Sequence, residues 1–438
     1  MAYTVMSNMS ESHEQTGLED VSDKDISRLR KLAREWMDIA ESDVMVQRKN
    51  DWRNLHDLKP SKPMILFETF TVAGFFDDGD LVCENELLRN VEKTFASNLK
   101  QYHELGDDIV LEPYFRVAWK VSRSDYGVKI EERHVKDSLA YLSNFPVSTP
   151  GDISKLKERS FAVDREITLK FKNRLENIFG DIMPVRIGNF DNFFPEIGYT
   201  PFLGNNFIGI TMDLFKLIGN ENMLLWPYDH PDDLHRLLRF LCDDRIRFYN
   251  WMMEENLLTF NTDNQFAGPS SYGYVSDLPD PESDETVKLD KLWAWPESQE
   301  TTPVSPKMFD EFFLPYIAEV SNMFGMSYYG CCEPVDDRLE YIRKAIPNLR
   351  TVSISAWNNF EKIGEQLGRD YVHCKKPNPT FISGETPDWD SAKKDISDSF
   401  NACKNGNIEF VVRDVYTING DNKRLREWVE MTKKAVGL

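Results

Sequence analysis

The chain has 438 residues, a formal charge of -21 and 41% hydrophobic content, enough to bury a sizeable core. The acidic surplus argues against nucleic acid, anionic lipid or a polyanion as main partner, because long-range repulsion opposes each. No run approaches the ~20 apolar residues of a membrane span, and six cysteines in so long a chain are no disulfide framework, which points to a reducing, cytoplasmic setting.

Residues 1–24 are polar, lack a basic segment followed by an apolar run, and read as a mobile tail ahead of a single domain over 25–438. From Asp25, apolar residues at Ile26, Leu29, Leu32, Ala33, Trp36 and Ile39 predict a helical extension. Met64 to Phe67 reads as a buried strand ending at Glu68. A helix over 85–105 and a strand-like Asp108 to Glu112 follow. The alternation from Tyr114 to Val135 predicts a β-hairpin excursion. A helix over about 164–179 leads to a strand ending near Asn189. Pro231 opens a helix that runs to about Glu255 and into Leu257–Asn261. Ser305-Pro306 starts another helix, and the acidic stretch Asp277 to Asp290 reads as a long rim loop.

In the last third, apolar runs at 327, 351, 371 and 408 alternate with helical stretches, the pattern of a parallel sheet covered by helices. With the runs starting near 64, 109, 184 and 257 they make eight strands, which predicts a (β/α)8 TIM-type barrel. Such barrels place their chemistry just after the strand ends. Tyr329 runs into Gly330-Cys331-Cys332-Glu333-Pro334, where two thiols and a carboxylate could hold zinc. The other reading is a small buried hydrophobe and a helix cap, and both stay open. Cys374 follows the next strand but one, with Lys376 beyond it; Arg413, Asp414 and Tyr416 follow the last strand. Glu297 and Gln299 lie in Trp295–Glu300, and Asp263 lies after the fourth expected strand. Glu68 and Asn189 sit at earlier strand ends. No Walker loop, dinucleotide fingerprint, His-Glu-x-x-His or Gly-x-Ser-x-Gly occurs.

The runs Trp295–Glu300, Tyr329–Pro334, Asn348–Trp357 and Lys376–Pro379 resemble uroporphyrinogen-decarboxylase-like proteins of anaerobic bacteria. That superfamily also holds zinc- and corrinoid-dependent methyltransferases. The resemblance covers about residue 25 to the C-terminus and implies a (β/α)8 barrel. It implies methyl transfer between a small methylated compound and a corrinoid protein or other acceptor, assisted by Zn2+. Cys331, Cys332, Glu297 and Cys374 would be the metal donors. Glu297, Asp414 and Tyr416 would serve as catalytic groups, and Glu68, Asn189, Asp263, Gln299 and Lys376 as substrate contacts. Tyr329 and Tyr416 stand where the family's histidine and late ligand would be, so a metal here would need a different donor set. Residues 67–76 lack the arginines that bind a porphyrinogen's carboxylates. The alternatives are a metal-free lyase acting on a small acid, and a non-catalytic barrel that binds a ligand.

Overall fold

The computed structural model describes residues 21–134, 141–188, 206–403 and 406–438. Ser22 accepts from Asp25 N (3.1 Å) and starts α1, Asp23–Ala40; Ser42 likewise caps α2, Asp43–His56. β1, Met64–Phe67, follows, and Asn85 caps α3, Glu86–Glu104. Next come β2 (Phe115–Ala118), β3 (Lys120–Arg123), β4 (Glu132–His134), β5 (Tyr141–Ser143) and β6 (Phe161–Asp164). α4 (Arg165–Phe179) leads to β7 (Val185–Gly188). α5 (Ile210–Asp229) is followed by α6 (Pro231–Glu254), with proline at its first position. The remaining strands are β8 (Phe266–Gly268), β9 (Ser271–Tyr272), β10 (Trp293–Ala294), β11 (Met326–Tyr329), β12 (Leu349–Ile354), β13 (Val372–Lys375) and β14 (Asn407–Val412).

Six strands form one parallel sheet in the order β1-β14-β13-β12-β11-β10. This is a half-barrel, and it corrects the expected closed eight-stranded (β/α)8 barrel. β2 and β7 make a separate parallel pair. The reason lies at the two edges of the large sheet, where side chains and isolated backbone contacts, among them the Phe207–Trp295 bridge just past β10, stand in for further strands. At β1, Asp108 N donates to Ile65 O (2.7 Å) and Asp108 Oδ2 accepts from Ile65 N (2.8 Å). Asp107 Oδ2 accepts from Phe67 N (3.0 Å), and Gln101 Nε2 donates to Phe67 O (2.8 Å). At β10, Asn261 Oδ1 accepts from Trp293 N (3.0 Å), while Asn261 and Asn206 amides donate to Trp293 O (3.2 and 2.8 Å). The runs expected as strands near 109 and 257 thus join no ladder, and β10 was not anticipated. The stretch 114–135 does not fold on itself either: β3 pairs with β6 and β4 with β5, both antiparallel.

The concave face of the sheet is occupied by the buried β8–β9 hairpin. Ser271 Oγ donates to Glu409 Oε1 on β14 (2.7 Å), and Lys376 Nζ, just past β13, donates to Pro269 O (2.5 Å). Gly268 lies flat against the Tyr328 ring of β11, where a Cβ would come within 2.1 Å of a ring carbon. On the opposite face, Phe67, Ile408, Phe410 and Val412 bury against Trp428 and Leu425 of the Lys423–Ala435 helix. All six strands point their C-terminal ends at one rim, and the hairpin tip reaches it through Ser270.

Candidate active site

That rim gathers the side chains that carry chemistry. Glu68 follows β1, Arg413 and Asp414 follow β14, Cys331 and Cys332 follow β11, and Glu297 follows β10. Ligands of open parallel sheets bind outside the carboxyl ends of the strands. Cys331 Sγ and Cys332 Sγ are 3.6 Å apart, and both residues are half-buried. Arg413 Nη1 approaches Cys331 Sγ (3.6 Å), and Cys332 Sγ donates to Asp414 Oδ2 (3.4 Å). Tyr416 OH donates to Asp414 Oδ1 (3.1 Å) from the solvent side. Asp414 has a left-handed backbone (φ 59°), which Asp tolerates better than most residues and which turns its carboxylate back to the thiols.

The peptide between the thiols and β11 is clamped. Glu333, buried, accepts from Cys331 N through Oε2 (2.9 Å) and from Ser298 N through Oε1 (3.0 Å). Ser353 Oγ donates to Cys331 O (2.6 Å), and Trp295 Nε1 donates to Gly330 O (2.9 Å). Glu333 therefore works as a backbone clamp, and the adjacent Ser298 and Tyr329 hydroxyls bond each other at 2.8 Å.

Behind the clamp lie two more acids. Glu297 Oε2 accepts from Gln299 N (2.8 Å), and Thr211 Oγ1 lies 2.7 Å from Glu300 Oε2 and 3.3 Å from Glu297 Oε1. Burial, then the Glu300 and Glu333 charges, hold the Glu297 carboxyl well above the usual carboxylate range. Burial raises Glu300 as well. Thr211 has one hydroxyl proton to give, so a neutral Glu297 donating back completes both contacts. Cys331 is raised by its contact with Cys332 and by burial, against the pull of Arg413. Burial opposes the Arg413 charge, and Glu68, Cys331 and Asp414 more than restore it. Glu68 accepts from Ser270 Oγ through Oε2, 3.8 Å from Arg413 Nε. Its Oε1 is buried with no hydrogen-bond partner, an open acceptor at the rim.

The structure thus brings Glu68, Cys331, Cys332, Asp414 and Tyr416 together, with Glu297 joined to them through Ser298 and Glu333. The expected zinc donors do not converge. Glu297 is turned to Thr211 and Gln299 N. Cys374 is fully buried one layer down, where Glu409 and Tyr328 adjoin it and burial pushes its thiol up. Among the described residues no group of three or more His, Cys, Asp and Glu side chains is placed to hold a metal. Gln299 is exposed and contributes its backbone, and Lys376 is buried against the hairpin. Asp263 belongs to a separate cluster, accepting from Tyr114 OH (2.5 Å) beside Arg116 (3.4 Å). Asn189 lies outside the described residues. Arg413, Ser298, Thr211 and Ser270 were not singled out as site residues. Arg413 was visible as half of a charged pair after a strand. Thr211 and Ser270 act across 86 and 202 residues of sequence, which no local pattern reveals.

No family model matches the chain, and no curated protein matches it. Among the described residues no helix is long and apolar enough to cross a membrane.

Proposed function

We propose that the protein is an enzyme that moves a methyl group between a small methylated compound and an acceptor, with a corrinoid on a separate protein as that acceptor. The observation that carries this reading is the pair of accessible thiols at a parallel-sheet rim, each with its own charged partner. In this reading Cys331 and Cys332 hold the heteroatom that bears the methyl group. Arg413 stabilises the charge that grows on Cys331 as its proton leaves, and Asp414 takes the proton of Cys332. Neutral Glu297 is the proton reserve behind the clamp, and Tyr416 bounds the open side. Among the described residues zinc finds no converged donor set, and this reading rests on the two thiols themselves. Free thiols of this kind suit a reducing cytoplasm.

The test is direct. Purified protein is mixed with cob(I)alamin and a panel of methylated amines, thioethers and arsenicals, and methylcobalamin is followed by its visible spectrum. Turnover with one donor, lost in Cys331→Ser, supports the proposal; no turnover with any donor overturns it. A second reading rests on Arg413 Nε at 3.4 Å from Asp414 Oδ2, a cation for a carboxylate next to an acid–base group. That pair suits a metal-free lyase acting on a small acid, and carbon dioxide release without corrinoid would select it.

A further inference from the structure

We infer that Cys331 and Cys332 form a two-thiol clamp for a singly substituted trivalent arsenical, R–As(OH)2. This rests on the methyl-transfer reading for its consequence alone: a methylated arsenical would then be the small methylated compound.

The argument starts from the bite. A disulfide needs its sulfurs ~2.05 Å apart. These stand at 3.6 Å, so closure would demand about 1.5 Å of approach. The backbone resists that movement. Glu333 holds Cys331 N, Ser353 holds Cys331 O, and Gly330 is fixed by Trp295 Nε1 at its carbonyl and by Pro296 O at its N–H (2.9 Å). Two sulfurs ~2.3 Å from one pyramidal soft centre, at an angle of roughly 100°, lie about 3.5 Å apart, close to the separation found. The spacing suits a shared soft atom between the thiols.

The number of donors then chooses the atom. Structural and catalytic metal sites draw three or four protein ligands. Here both Glu333 oxygens are bonded to backbone, and Asp414 is engaged by Cys332, Tyr416 and Arg413. Two sulfurs remain. A trivalent arsenical brings its own carbon as third substituent and asks the protein for two thiols. The reaction balances without an oxidant. Two As–O bonds break, two As–S bonds form, each thiol proton leaves with a departing hydroxide as water, and arsenic stays trivalent. Arg413 beside Cys331 and Asp414 beside Cys332 are placed to assist the two proton losses. The R group points to the open side, where the Tyr416 ring is exposed. The other four cysteines are buried and scattered, so the chain has one dithiol to offer among its described residues.

Phenylarsine oxide is the probe, used on the reduced full-length chain after removal of small thiols. Intact mass is expected to rise by one arsenical less one water, while two titratable thiols disappear together. Cys331→Ser and Cys332→Ser should each weaken uptake about 100-fold or more, since the second bond forms at high effective concentration. Cys83→Ser and Cys242→Ser should leave it intact, and 2,3-dimercaptopropanol should release the arsenical where glutathione does not. Thermal melts of the variants, matched to the parent, separate lost binding from lost folding; a variant that fails this control is replaced by Cys331→Ala or Cys332→Ala. More than one arsenical per chain, unchanged uptake in the serine variants, or thiols lost without arsenic gained would each overturn the clamp. Arsenical uptake without any methyl transfer keeps the clamp and removes the methyl-transfer reading; methyl transfer from other donors without arsenical uptake does the reverse.

Discussion

On the proposed reading, a single proton on Glu297 bears on both activity and stability. Burial and the neighbouring carboxylates hold its carboxyl well above the usual range in the folded chain, whereas the unfolded chain releases the proton above a pKa of ~4.3. The sign follows: this group costs stability progressively as pH rises above ~4.3, until the folded pKa is passed. Glu297→Gln keeps the hydrogen-bond geometry and removes the titration. It should raise the melting temperature above pH 7 while cutting turnover about 100- to 10,000-fold, the usual worth of a positioned acid. The parent's turnover should fall on the alkaline side, and a pH–rate profile beside a set of pH-dependent melts reads both effects. Cys331→Ser tests a different contribution: it should abolish transfer with little change in melting temperature, because the residue is half-exposed and its backbone clamp remains.

At the scale of elements, α2 and the β8–β9 hairpin carry the least expected features. His56, near the end of α2, is buried with Nδ1 at 3.1 Å from Tyr274 O, and burial pushes its pKa down to about 4. The folded state holds it neutral, so its contribution is complete above the unfolded value of ~6.5 and is lost as pH falls toward 4. That loss is on the order of 3 kcal/mol, and His56→Gln should flatten the acid limb of a urea-midpoint against pH plot. Gly268 has a steric role: Gly268→Ala forces a Cβ into the Tyr328 ring and should cost about 1–3 kcal/mol by urea titration. Helices α3, α4 and α6 were legible because each is long and periodic, with a polar cap at the start of α3 and α4 and a proline at the start of α6. The hairpin was not, since most of Gln265 to Val275 is buried by contacts with Tyr328 of β11, Glu409 of β14 and Lys376 just past β13, which lie far away in sequence. The strand ends holding Glu68, Cys331, Cys332 and Asp414 were legible because apolar runs stop there in polar residues. Their partners Thr211 and Ser270 come from unrelated elements, and Cys374 was misplaced because a residue within the strand was read as one past its end.

For the whole molecule, the six-stranded sheet raises the question of how its edges are protected. A parallel sheet normally closes or is covered, because free N–H and C=O groups recruit other strands. β10 answers by being two residues long, by pairing with the Asn261 and Asn206 amides, and by the backbone bridge of Trp295 to Phe207 just past it. β1 answers with carboxylates, and Asp108 does most of it. One oxygen accepts from Ile65 N, the other from Lys62 Nζ (2.8 Å), and its own N–H serves Ile65 O. The eight-strand expectation failed at these two places, because apolar runs at 109 and 257 announce a strand but not whether a neighbouring side chain has already taken the ladder. Asp108→Ala therefore probes the architecture. It leaves Ile65 N buried without an acceptor, a loss of about 1–3 kcal/mol, and frees Lys62 from one of its anions. Asp108→Asn retains an acceptor oxygen and should recover part of the loss. The Ala variant should unfold at lower urea and form sheet-rich aggregates on mild heating, read by light scattering. A variant that melts lower but stays monodisperse would separate the stability role of Asp108 from edge protection, and unchanged urea midpoints would refute both.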